Sequence, residues 1–162
     1  MLVGQLIDLA REDERVHERA PVRLDRLVAE ELDRMRHRYP KVEFVDRLDP
    51  TSLLGDQQAL ARAVANLVDN AGKWSPPGGV VRVDLHDGVL EVRDQGPGID
   101  ASDLPRIFER FYRGSRATAV PGSGLGLAIV AQVMTAHGGE VAAESVVGGG
   151  AVFRARFRSP TS

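Results

Sequence analysis

The chain has 162 residues, 43% hydrophobic and 27% charged, which suits one compact domain and excludes two full ones. A formal net charge of -2 gives no bulk pull toward nucleic acid or an anionic membrane surface. With no cysteine there is no disulfide framework or thiolate metal site, no apolar run is long enough to span a bilayer, and the first residues lack the charged-then-apolar order of a signal peptide.

Residues 1 to 11 place Leu2, Leu6 and Leu9 beside Val3, Ile7 and Ala10, an apolar helical face too short to stand alone. The charge run that follows reads as linker, so residues 1–20 are expected to be a helical remnant plus linker and residues 21–162 the domain proper. From Val22 to Pro40 the spacing predicts an amphipathic helix with Leu24, Leu27, Val28, Leu32 and Met35 inward. A strand is expected over 42–48, then a helix over 57–73 with Asp56 as its N-cap. Val81, Val83 and Leu85 alternate with polar residues up to Asp87-Gly88, a hairpin signal leading into Val89–Asp94. One or two helical turns over 103–113, a small-residue loop, a helix over 124–137 and a closing hairpin through Gly148, Gly149 and Gly150 complete the chain. Strands pairing mainly as hairpins, with about three helices on one face, make an α+β two-layer sandwich with a mixed, mostly antiparallel sheet.

Three segments carry more chemistry than packing requires. In the 57–73 helix, Leu60, Val64, Leu67, Val68 and Ala71 form one stripe, while Asn66, Asn70 and Lys73 line a separate face. Two asparagines and Gly72 within two turns weaken that helix, each by roughly half to one kcal/mol against alanine. They mark either a frayed end or a face where amide oxygen meets a hard cation and lysine meets phosphate. In "RDQGPGID" the alternation puts Asp94 on the inward side with Leu90 and Val92. A buried carboxylate needs a donor, and an adenine 6-amino group would serve where the 6-oxo group of guanine would be repelled. Gly96 and Gly98 would let backbone approach a flat base closely, although a plain turn would also use them. In "GSGLGLAIV", Gly122, Gly124 and Gly126 open a helix, either as an anion site at its positive end or to relieve crowding.

Two familiar phosphate motifs fail. Trp74 follows Gly72-Lys73 where a P-loop needs Ser or Thr, and Leu127 stands where the dinucleotide fingerprint needs its last glycine. His17, His37, His86 and His137 have no metal spacing and read as structural or solvated. Trp74 could stack on a base or simply pack.

Taken in order, "NLVDNAGKW", "DQGPGID", "FERFYR" and "GSGLGLAIV" resemble the N, G1, F and G2 boxes of the catalytic domains of bacterial sensor histidine kinases, over roughly residues 24–158. The resemblance implies the Bergerat ATP-binding fold, with ATP and Mg²⁺ held between a helix and a lid over residues 100–121. Carried across, it makes Asn70 the Mg²⁺ ligand, with Asn66 orienting phosphate or metal-bound water. Lys73 and Arg113 become phosphate contacts, and Trp74 takes the place of a usual tyrosine beside the base. Asp94 would receive the adenine amine, with Gly96, Gly98 and Ile99 shaping the base pocket, and Gly122, Ser123, Gly124, Leu125, Gly126 and Leu127 would wrap the phosphates.

The histidines do not match the family's phospho-acceptor pattern, His-Glu-Leu-Arg-Thr-Pro. The resemblance therefore implies a cytosolic catalytic domain that works on a dimerisation domain of a membrane-anchored parent, with a response regulator downstream and no nucleic-acid or membrane contact of its own. Two alternatives stay open: an ATP hydrolase of the gyrase and heat-shock-chaperone type, which would need a glutamate where Asn66 stands, and a nucleotide-binding regulator that transfers nothing.

Overall fold

The computed structural model of the chain describes residues 19–110 and 126–158. A short antiparallel pair, β1 (Ala20–Arg23) and β3 (Ser52–Gly55), stands apart from a five-stranded sheet. That sheet holds β2 (Glu43–Leu48), β4 (Val80–His86), β5 (Val89–Arg93), β6 (Glu140–Ser145) and β7 (Ala151–Arg156) in the order β2-β4-β5-β7-β6. The described helices are α1 (Leu24–Arg38), α2 (Gln57–Trp74) and α3 (Gly126–Ala136), with a 3₁₀ turn at Leu104–Arg106. Helix α2 packs between α1 and α3 and reaches the sheet at β5. Buried residues from Val22 to Phe157 join in one hydrophobic core, giving the expected α+β sandwich.

The local reasons are legible. Leu24, Leu27, Val28, Leu32 and Met35 are all buried on one side of α1, as their spacing requires. Asp56 caps α2, its side chain accepting from the Ala59 N–H at 3.2 Å. Asp87 (φ 50°) and Gly88 (φ 73°) both take the left-handed conformation that suits a two-residue hairpin to the twist of β4 and β5. Residues Leu90, Val92 and Asp94 then face inward together, all buried. His137 is structural: its Nε2 accepts from the Asp56 N–H at 3.0 Å and its Nδ1 donates to Val133 O at 2.8 Å, joining the end of α3 to the start of α2.

The small β1–β3 sheet is not what the sequence predicts. Val22 and Arg23, expected in the first helix, belong to a strand, and helix begins only at Leu24. Four-residue strands carry too little alternation to be read, and these two pair only because the chain returns between them across α1. The pairing β2–β4 is parallel, with α2 in the connection, while the other pairings of the large sheet are antiparallel. Glu31, also unexpected inside, is buried with its carboxylate 2.6 Å from Arg34. The helical remnant expected at the N-terminus lies outside the described residues. No helix among them is long and apolar enough to cross a membrane.

Asp25 fastens α1 to the start of β3, accepting from the Thr51 N–H and from the Arg23 guanidinium. The Arg23 hydrogen bonds hold its carboxyl at about 2, below its ordinary 3.8. A depressed folded-state value means that this contribution to stability is complete above pH 4 and is lost as pH falls toward 2. The variant Asp25→Asn is accordingly expected to lower the urea midpoint at pH 7 and to flatten its decline between pH 4 and 2; an unaltered acid limb would refute the assignment.

Candidate functional site

Helix α2 is the bench on which the predicted residues meet. Its apolar stripe, Leu60, Val64, Leu67, Val68 and Ala71, is fully buried. Asn66, Asn70, Lys73 and Trp74 lie on its partly exposed sides. The Asn66 Nδ2 donates to Arg62 O, one turn back, at 2.9 Å, which leaves Oδ1 as the end that faces outward from the helix. That oxygen meets α3: a Cβ on Gly126 would stand 3.0 Å from it, so the glycine lets the start of α3 rest against the Asn66 amide. The Asn70 side chain has no hydrogen-bond partner among the described residues.

The loop after β5 seats on the end of the same helix. A side chain at Gly96 would strike the Trp74 carbonyl at 2.6 Å, so backbone lies directly on backbone there. Asp94 is 4% exposed. Its Oδ1 accepts the Gly96 N–H at 2.9 Å and the Ala151 N–H at 3.1 Å, whereas its Oδ2 accepts from none of the described residues. Burial pushes the Asp94 carboxyl above its ordinary value of 3.8, and the two N–H donors offset part of that push. Positions 66 and 74 are two turns apart, about 12 Å along the axis. The helix thus joins a buried carboxylate loop at one end to two amides and the start of α3 further back.

Some predictions find a different setting. Lys73 lies 3.7 Å from Asp69, so its charge is already met within its own helix. Asp69 in turn accepts from the Tyr39 hydroxyl at 2.6 Å and stands 3.5 Å from Arg38. Gly72, which weakens the helix on paper, is explained by packing, since a Cβ there would enter the Tyr39 ring at 2.6 Å. Leu127 is half-buried against the core, and Ile99 likewise. Of the expected lid, residues 100–110 are settled: Asp103 is buried and the Phe108 ring meets Phe153 edge-on at 6.3 Å. Arg113 and Gly122, Ser123, Gly124 and Leu125 lie outside the described residues, as does the rest of that lid.

The β6–β7 turn supplies contacts that sequence reasoning missed. Gly150 (φ 95°) lies so close to Asp94 that a Cβ there would collide with the Asp94 carbonyl oxygen. Ser145 contacts the backbone of Ile99 through its hydroxyl. A run of three glycines signals a turn, but nothing local says which distant acid it touches.

Comparison with known proteins shows the family to which the chain belongs. Residues 55–161 match the family described as histidine kinase-, DNA gyrase B-, and HSP90-like ATPase. The chain is 47% identical over 154 residues to the signal transduction histidine-protein kinase/phosphatase MprB of Mycolicibacterium smegmatis, covering 92% of this chain and 31% of that protein. Among solved structures it is similar to a mycobacterial sensor histidine kinase MprB, with 39% identity and a TM-score of 0.79, over 86% of this chain and 100% of that one. It is also similar to full-length ShkA in complex with AMPPNP, with 30% identity and a TM-score of 0.79, over 98% of this chain and 35% of that one. The chain therefore belongs to the histidine kinase-, DNA gyrase B-, and HSP90-like ATPase family and is the ATP-binding catalytic domain of a sensor histidine kinase. It spans about a third of the length of the curated relatives it matches.

Gly148 and Gly150 separate strain from collision. Both hold positive φ, but a Cβ on Gly148 meets nothing within 4 Å. Gly148→Ala is expected to cost about 1 kcal/mol by urea unfolding, and Gly150→Ala about 2 kcal/mol more because Asp94 must move. Equal losses would show that the Asp94 contact is not formed.

Proposed function

We propose that Asp94 reads the adenine of ATP and that Asn66 and Asn70 serve its Mg²⁺-bound triphosphate, in a domain that phosphorylates a histidine on a separate dimerisation domain of the parent protein. One observation carries this reading: Oδ1 of Asp94 accepts two hydrogen bonds, and Oδ2, on a residue only 4% exposed, is left as an ionisable acceptor with no partner among the described residues. An exocyclic amine is the donor that suits it, and a 6-oxo group is not. The close seating of Gly96 on Trp74 keeps the loop low enough for a flat ring to lie above it, beside a half-buried tryptophan.

From that anchor an extended triphosphate would run along α2 toward Asn70 and Asn66. The two amides fit a hard cation: each has an oxygen left uncommitted, and Mg²⁺ favours neutral or anionic oxygen and substrate phosphate over a dedicated cage. No group of three His, Cys, Asp or Glu suited to a metal exists among the described residues, so most ligands would come from phosphate and water. When bound, the ion supplies charge neutralisation across the phosphates. The chain's own residues would orient and pair: Lys73 would exchange its weak contact with Asp69 for a phosphate oxygen, and Gly126 would keep the start of α3 against Asn66. Arg113, Gly122, Ser123, Gly124, Leu125 and Leu127 are proposed for the phosphate end on the resemblance alone. Positioning of this kind is most of phosphoryl-transfer catalysis. The acceptor histidine and a downstream response regulator complete the proposal, supported by the relatives' kinase names and by their greater length.

The Asp94→Asn variant tests the reading with a defined sign. The introduced amide would keep its oxygen on the Gly96 and Ala151 N–H groups and turn its N–H₂ toward the base, donor against donor. By calorimetry, ATP affinity is expected to fall about tenfold to a hundredfold and the preference for ATP over GTP to shrink or reverse. For the native chain, affinity should decline as pH falls through the raised Asp94 value, because the ionised form is the acceptor, and the variant should lose that decline. Equal affinity of the native chain for ATP and GTP would refute the role of Asp94.

A further inference from the structure

Past Asp94 the chain leaves the sheet, and the backbone groups of Gly98 and Ile99 lose their strand neighbours. One side chain takes over. Ser145, the last residue of β6, accepts the Ile99 N–H and donates its hydroxyl proton to the Ile99 carbonyl, both at 2.6 Å and across 46 residues of sequence. A single hydroxyl thus satisfies both polar groups of one residue, as a neighbouring strand would. Gly98 fits the same approach: at φ 81°, a Cβ there would stand 3.1 Å from both Ser145 Oγ and Gly150 O. Ile99 itself packs against the core, and the chain continues into the buried Asp103 and the Phe108–Phe153 contact. The loop from Asp94 to Ile99 is therefore pinned at each end, by Asp94 to Ala151 and by Ile99 to Ser145.

We propose that Ser145 is a positioning residue for nucleotide binding, its hydroxyl holding the Gly98–Ile99 backbone at the height the base requires and fixing the root of the segment that follows. The proposal rests on the assignment of Asp94–Ile99 to the base. Ser145 need not touch nucleotide. Its hydroxyl lies at an exposed strand end, so the folded core does not depend on it, whereas the geometry of the loop does. A preformed loop binds more tightly than one that must be ordered on binding.

The test uses the full chain and Mg-ADP, which cannot transfer phosphate. Ser145→Ala is expected to weaken Mg-ADP binding about tenfold and to speed amide exchange at Ile99, while exchange at Val92 and the urea midpoint stay near native values. Ser145→Thr, which keeps the hydroxyl, is expected to restore both. Unchanged affinity or unchanged Ile99 exchange in Ser145→Ala would overturn the proposal, as would a loss that tracks the urea midpoint and is not rescued by threonine. If the native chain bound no nucleotide, the base pocket and the role of Ser145 would fall together; if it bound and Ser145→Ala bound equally well, Ser145 alone would lose its role.

Discussion

A carboxylate that is 4% exposed and has no cationic partner among the described residues is the constraint around which this domain is built. Burying a charge without compensation is costly, so the surrounding backbone is shaped to supply it. Two N–H groups from different segments converge on one oxygen, and each requires close backbone approach: Gly96 on the Trp74 carbonyl, Gly150 on the Asp94 carbonyl. The compensation is partial, since burial still dominates and raises the carboxyl. A partner for the second oxygen would complete it, which is why the site is read as belonging to an exocyclic amine.

Helix α2 translates that local arrangement into a site of molecular length. Its buried stripe locks it between α1, α3 and the sheet, and its remaining faces are free to present polar groups. Stability and chemistry share its sequence with little conflict. Gly72 and Asp69 belong to packing, receiving the ring and hydroxyl of Tyr39, while Asn66 and Asn70 keep oxygens uncommitted. The hydrolase alternative finds no support here, because position 66 offers an amide tied back to Arg62, with no capacity to take a proton from water.

Much of this was legible in the sequence because the signals were periodic. The 3.6-residue spacing in α1 and α2, the Asp87-Gly88 turn and the two-residue alternation that turned Asp94 inward all survive in the structure. Contacts between distant segments were not legible. Ser145 reaches Ile99 across 46 residues and Tyr39 reaches Asp69 across 30, and no local pattern marks either pair. The β1–β3 pair failed for a related reason: four residues give too short a run for alternation to show, and the strands exist only as each other's partners. Gly72 shows the same limit: propensity reports that a residue is costly in a helix, not what the cost accommodates, which here is the Tyr39 ring.

The most direct measurement is a crystal structure of the chain with a non-hydrolysable ATP analogue and Mg²⁺. The account predicts the adenine amine within hydrogen-bonding distance of Asp94 Oδ2, with Oδ1 still on Gly96 and Ala151, and the metal near Asn70. A base bound elsewhere, or an Asp94 carboxylate that swings away from Gly96 and Ala151 when nucleotide enters, would contradict it.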